Sequence, residues 1–232
     1  MTLEEIQYGQ ILLVDKPLDW SSFNVVNKIK FKLKREFKLK KIKVGHAGTL
    51  DPRATGLLIV CTGKATKQLS EIQDAPKEYF VEIKLGVQTE SYDTEKPEIL
   101  HQDISHITGE NVQEILQKFI GEVDQKPPVF SALKIEGERA YNLARAGVQV
   151  EMKNRKITIY YIDNVEIEFP FVRFSVGCSK GTYIRTLAHD IGQKLGVGAY
   201  LTTLRRTKIG NFSVENSTDK YLQNDFLFDE DI

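Results

Sequence analysis

Val44-Gly45-His46-Ala47-Gly48-Thr49-Leu50-Asp51-Pro52-Arg53-Ala54-Thr55-Gly56 packs three glycines, one histidine and an Asp-Pro pair into thirteen residues. Too many of these are turn formers for regular structure, so the stretch reads as a loop. Pro52 pushes the backbone of Asp51 toward extended geometry and fixes the turn. One carboxylate and one imidazole are therefore presented from a rigid setting. Turn chemistry alone is equally consistent with an Asp-Pro turn that does nothing else.

The flanks give the loop its place in a fold. Upstream, Gln10 to Asp15 is an apolar run closed by Lys16-Pro17 and reads as a buried strand. Ser21 and Ser22 then offer an N-cap. Phe23, Val26, Ile29, Leu33 and Phe37 follow at spacings of 3, 3, 4 and 4, which predicts one apolar helical stripe with lysines on the other face. Downstream, Gly56 to Thr62 reads as a second buried strand and Ala65 to Ile72 as a short helix. Tyr79 to Val87 alternates as a strand should. Val112 to Ile120 is helical in pattern, Lys156 to Cys178 gives two β-rich runs broken at Pro170, and Tyr183 to Leu195 reads as a strong helix. Leu201 to Arg206 is read as another short helix, and the polar, acidic tail after Phe212 as only partly ordered. Helices and strands mix without regular alternation. The expected fold class is α+β, with a central mixed, largely antiparallel sheet flanked by helices.

The chain has 232 residues, which suits one domain with at most a small appendage. Cys61 and Cys178 each sit in an apolar run and read as buried thiols, which excludes a disulfide framework or a cysteine zinc site. The first residues lack the basic and apolar regions of a signal peptide, and no apolar stretch reaches membrane-spanning length, so the expected location is the cytoplasm. Lys plus Arg and Asp plus Glu number 32 each. That neutrality hides segregation. Residues 28–43 carry nine basic side chains and one acid, residues 88–124 nine acids and two bases, and residues 215–232 six acids and one base. A large anion responds to such local fields, because screening confines charge effects to roughly 8–10 Å.

Several chemistries are missing from the sequence. The four histidines are scattered, so no metal site is expected. Gly63-Lys64-Ala65 lacks the remainder of a P-loop, and Gly196-Val197-Gly198 lacks the third glycine of a dinucleotide fingerprint. No Gly-x-Ser-x-Gly elbow occurs. What remains is chemistry that a few side chains perform without a cofactor.

The segment from Gly45 to Gly56 resembles the catalytic-loop motif of the TruB family of tRNA pseudouridine synthases. Further blocks follow the family's order: Val14-Asp15-Lys16-Pro17 with Ser21-Ser22, Lys77-Glu78-Tyr79, Pro127 to Lys134 with Gly137 and Arg139-Ala140-Tyr141, Ser179 to Leu187, and Leu204-Arg205-Arg206-Thr207. The resemblance runs from about residue 9 to about residue 212. It implies a catalytic domain over 1–212 that includes a tRNA-contacting insertion at about 125–155. A short acidic tail, 213–232, stands in place of a complete PUA domain. Arg53 departs from the family pattern, which usually has leucine there, and adds charge beside the loop.

The resemblance implies isomerisation of the uridine at position 55 in the T loop of tRNA, with no cofactor and no metal. Asp51 would be the essential carboxylate. Attack on the ribose, attack on the uracil and assistance of an elimination all fit it. Arg185 would be the ion-pair partner that keeps Asp51 ionised. A base cannot be rearranged inside a stack, so it must be flipped out. Tyr79 would stack on the flipped base and serve in proton transfer, Tyr183 and Leu204 would line its pocket, His46 would fill the gap left in the RNA, and Lys16 would be structural or pocket-lining. The basic stretch 28–43 with Arg139, Arg145, Arg205 and Arg206 would meet phosphates. The resemblance implies a monomer acting on tRNA with no obligatory protein partner and no membrane. Two rival readings are a non-enzymatic RNA-binding protein on the same scaffold, and the related guide-RNA-dependent synthase, which normally carries a PUA domain and protein partners.

Overall fold

A computed structural model describes residues 2–223, apart from 132, 136, 141–142, 144–147 and 149–151. The chain opens with α1 (Leu3–Tyr8), β1 (Ile11–Lys16), α2 (Ser22–Glu36), β2 (Val44–Ala47) and β3 (Ala54–Thr62). A 3-10 turn over Gly63–Gln68 leads into α3 (Leu69–Asp74), β4 (Lys77–Leu85), β5 (Val87–Thr89) and β6 (Glu98–His101). Then come α4 (Gly109–Gln117), β7 (Gly121–Gln125) and the two-residue strands β8 (Lys134–Ile135) and β9 (Glu138–Arg139). Last are β10 (Arg155–Glu168), β11 (Phe171–Cys178), α5 (Ile184–Leu195), β12 (Ala199–Ile209) and β13 (Phe212–Ser213). The α+β class is what the sequence predicts. No helix among the described residues is long and apolar enough to cross a membrane.

Two compact units divide the chain, residues 1–79 with 205–232 and residues 80–204. In the first unit the strand order is β1–β3–β12, with β2 also on β3 and β13 on β12. β1 and β3 are antiparallel, from Ile11 opposite Cys61 to Lys16 opposite Gly56. β3 is buried on both faces, which is why its sequence is a continuous apolar run. Leu58 and Val60 pack with Leu12, Val14, Val25, Val26, Ile29 and Leu33, while Leu57, Ile59 and Cys61 pack with Ala47, Ala65, Ile72 and Ile209. Burial pushes the Cys61 thiol up to about 11, as expected of a small core hydrophobe.

The second unit places its strands in the order β12–β4–β11–β10–β7. β10 is antiparallel to both β11 and β7. The Pro170 break falls in the turn between β10 and β11, as the sequence suggests. Glu138 and Arg139 pair with Ile135 and Lys134 in a short hairpin, and much of the stretch that follows lies outside the described residues.

Two expectations fail, each for a physical reason. Leu201 to Arg206 is the middle of strand β12, not a helix. The threonines at 202, 203 and 207 favour that pleated surface over a helix. Phe23 is 70 % exposed, because the buried side of α2 is built from Ser22, Val25, Val26, Ile29, Lys32 and Leu33. Of the segment after Phe212, residues 213–223 pack against the first unit, and 224–232 lie outside the described residues. The Thr218 N–H donates to the Leu13 carbonyl, its carbonyl accepts from Asp15, and Tyr221 and Leu222 pack on the α2 core.

Candidate active site

Four predicted site residues lie in the first unit. Asp51 stands in the turn joining β2 to β3, closed by the Ala54 N–H donating to the Asp51 carbonyl at 3.1 Å. Three buried side chains hold this turn from different elements. Ser22, in the first turn of α2, donates to the Leu50 carbonyl at 3.0 Å and accepts from the Leu50 N–H at 2.8 Å. The cap of α2 is Ser21, whose hydroxyl accepts from the Asn24 N–H, so the Ser21-Ser22 pair splits two tasks. Arg206, 1 % exposed in β12, donates to the carbonyls of Gly48 at 2.9 Å and Leu57 at 2.8 Å. Lys16, fully buried at the end of β1, donates to the carbonyls of Trp20 at 2.6 Å, Pro17 at 2.9 Å and Pro52 at 3.4 Å.

Backbone geometry explains two glycines of the loop. Gly48 has φ +78°, and a Cβ there would lie 3.3 Å from the Arg206 guanidinium. Gly56 has φ +98°, and a Cβ would meet the Arg206 carbonyl oxygen at 2.3 Å. Only glycine allows the two backbones this approach.

The electrostatics tie the cluster together. Burial lowers the Lys16 ammonium to about 8, partly countered by the charge of Asp51; Arg206 adds to the lowering. Burial, reinforced by Arg206, also lowers the His46 imidazole, so the ring on β2 is neutral at pH 7. Tyr79 faces inward on β4 and is 8 % exposed. Two residues before it, the buried Lys77 donates to the carbonyls of Gln73 and Ala75. Beside the turn, Arg205 pairs bidentately with Asp15 at 2.7 and 2.9 Å. The two line a cleft of about 430 Å³ with Lys16, Pro17, Thr55, Ser217, Thr218 and Asp219. Arg53 pairs with Asp19 at 2.8 Å on the surface.

The second unit holds Tyr183, Arg185 and Leu204. Arg185, 4 % exposed on α5, donates to the carbonyls of Phe130 at 3.0 Å and Ser91 at 3.3 Å, and its Nε lies 3.5 Å from the buried Asp93 carboxylate. Tyr183 caps α5, its backbone gripped on both sides by the Gln125 side-chain amide at 2.8 and 3.0 Å. Leu204 is 8 % exposed in β12. Among the described residues no three His, Cys, Asp or Glu side chains gather as a metal site.

Two of the predicted phosphate contacts are corrected. Arg206 is a buried strut under the loop and cannot reach a phosphate. Lys32 is 3 % exposed and donates to the carbonyls of Tyr221 and Gln223. Arg145 and the Arg139 side chain lie outside the described residues. The sequence reading also missed Asp93 and Gln125. The alternation of β12 carried a signal for Arg206, since adjacent residues of a strand face opposite ways.

Comparison with known proteins bears on this arrangement. Residues 34–184 match the model of the TruB family pseudouridylate synthase N-terminal domain, and residues 185–231 that of the tRNA pseudouridylate synthase B C-terminal domain. A tRNA pseudouridine synthase B of Parabacteroides distasonis is 51 % identical over 94 % of this chain and 93 % of its own length. Another, from Flavobacterium johnsoniae, is 51 % identical over 94 % and 96 %. Among solved structures, the chain is similar to one in a Cbf5-Nop10-Gar1 complex, with 34 % identity and a TM-score of 0.68 over 90 % of this chain. It is also similar to one in an archaeal box H/ACA Nop10-Cbf5 complex, with 30 % identity and a TM-score of 0.66 over 94 %. It spans about half of those two solved chains, 51 % and 54 %. By sequence across nearly its whole length, and by fold, the chain belongs to the TruB family of pseudouridylate synthases.

Proposed function

We propose that this enzyme converts the uridine at position 55 in the T loop of tRNA to pseudouridine, with Asp51 as the essential carboxylate. The observation that carries the reading is the loop itself: three buried side chains from α2, β1 and β12 hold the backbone on both sides of Asp51. A reacting group gains most from such fixed geometry when its chemistry needs orientation rather than a cofactor. Relatives about half identical over nine-tenths of both chains carry the name tRNA pseudouridine synthase B, which favours tRNA over a guide-RNA substrate.

In the reaction the bond from ribose to the base nitrogen breaks, the base turns, and a bond from ribose to a ring carbon forms. The proton on that carbon is lost, and the freed nitrogen gains one. Asp51 attacks ribose or uracil, or assists elimination. Arg185 pairs with it and keeps it ionised. Tyr79 stacks on the flipped base and takes part in the final proton transfer. Tyr183 and Leu204 line the pocket, and neutral His46 occupies the gap in the RNA. Stacking offsets about 1–3 kcal/mol per base of the flipping cost. Residues 1–212 form the catalytic domain, with the insertion at about 125–155 against tRNA and 213–232 as a tail. The enzyme acts in the cytoplasm as a monomer, without a protein partner.

The test is incubation with unmodified tRNA transcript, followed by carbodiimide labelling and primer extension, with Asp51→Asn alongside. A stop at the T-loop uridine that vanishes in the variant is the expected result. No stop with the unaltered protein, while RNA still binds, would sink the reading.

A further inference from the structure

Helix α2 buries one side, and among the described residues no element covers the other. At 100° per residue, Phe23, Asn27, Lys30, Phe31 and Lys34 fall within one arc of about a third of the helix circumference. All five are exposed, Phe23 at 70 % and Phe31 at 64 %. Arg35 in the last turn, then Lys38, Lys40, Lys41 and Lys43 past the end of the helix, continue the exposed positive charge. Among the described residues none of these seven cations has an ion-pair partner. Two large apolar rings in water, interleaved with unpaired cations, have no role in holding the fold. Their burial would add nothing to the α2 core, which is complete without them.

We propose that this face is a second RNA-binding surface, which holds unpaired bases and their phosphates away from the reacting uridine. The proposal rests on the reading that the substrate is RNA. Charge argues for a polyanion over an apolar or acidic-poor protein surface. The rings argue for unpaired bases rather than a plain duplex, because a stacked base offers no open face. Phe23 and Phe31 lie about 12 Å apart along the axis, and Lys30 and Lys34 about 6 Å apart, from the helical rise. Rings and ammonium groups thus alternate along one line. That line starts next to Ser22, which grips the loop of Asp51. RNA seated here would be anchored to the same helix that positions the reactive carboxylate.

The test uses the full chain. Binding of a tRNA transcript is measured across a salt series for the unaltered protein, Lys30→Gln/Lys34→Gln and Phe23→Ala/Phe31→Ala. Kd is read directly and does not require turnover, so it can succeed or fail independently of the activity assay. Losing two phosphate contacts should reduce the slope of log K against log salt by about 1.4. The phenylalanine pair should weaken binding by about 5-fold to 150-fold for each ring that stacks. That loss should be absent for a fully paired RNA duplex of similar length. In turnover, KM should rise while kcat at saturating tRNA holds. All positions are exposed, so unchanged thermal unfolding serves as the folding control. Equal Kd and equal salt slope in all three proteins would overturn the proposal and leave the face to a protein partner. An equal phenylalanine effect on duplex and tRNA would overturn the stacking role.

Discussion

Ser22 and Leu50, 28 residues apart, exchange hydrogen bonds in both directions through one hydroxyl, at 3.0 and 2.8 Å. Both residues are buried. The next residue is Asp51, so the hydroxyl acts as a hinge pin for the turn that carries it. Ser22→Ala leaves the Leu50 N–H and carbonyl without this partner, at a cost of about 1–3 kcal/mol. Displacement of Asp51 should lower kcat by about 10-fold to 100-fold with little change in KM. Urea unfolding and single-turnover kinetics would measure the two effects. A stability loss with unchanged kcat would break the link to Asp51.

Arg205 and Arg206 predict opposite outcomes from adjacent positions. Arg205 forms a half-exposed pair with Asp15, so Arg205→Ala should cost less than about 1 kcal/mol. Arg206→Met strands the carbonyls of Gly48 and Leu57 in the interior and should cost about 2–3 kcal/mol. Urea midpoints would rank the two. Comparable losses would contradict the buried strut.

Lys16 gives a pH signature. Its ammonium titrates near 8 when folded and near 10.5 when unfolded. Between those values the unfolded chain binds the extra proton, so stability rises with pH across that window. The contribution is complete above 10.5 and is lost as pH falls through about 8. The unfolding free energy of the native chain minus that of Lys16→Met should therefore increase from neutral to alkaline pH. A flat difference would place the Lys16 titration outside the window.

The two glycines of the loop should differ in tolerance. Gly48→Ala forces a left-handed backbone on alanine, costing about 1–2 kcal/mol, and its methyl meets only a side-chain tip, the Arg206 guanidinium, at 3.3 Å. Gly56→Ala drives a methyl into the Arg206 backbone, which cannot yield. Its yield of folded protein should be far lower, as judged by thermal unfolding of purified material.

The loop from Gly45 to Gly56 was legible because its signals are local: glycines, an Asp-Pro step and an apolar strand behind it. What holds the loop was not. Ser22 looks like a helix cap until its partner, 28 residues on, is seen. Arg206 looks like a surface cation when its neighbourhood is read as helix; read as strand, alternation separates it from Arg205. A one-position error of that kind reverses which face a side chain occupies. Phe23 fits the apolar spacing of α2, yet the buried arc includes Lys32, which finds carbonyl partners in Tyr221 and Gln223, 189 and 191 residues on. No spacing rule encodes a partner that distant.

The parallel bridge between Val14 and Thr218 has a meaning for solubility. β1 is the outermost strand of its sheet order, and its free edge is the kind of surface onto which another chain can add a strand. The bonds from Thr218 to Leu13 and Asp15 occupy that edge at its centre. A chain cut after Phe212 would expose it, and the first symptom would be concentration-dependent light scattering rather than lost chemistry.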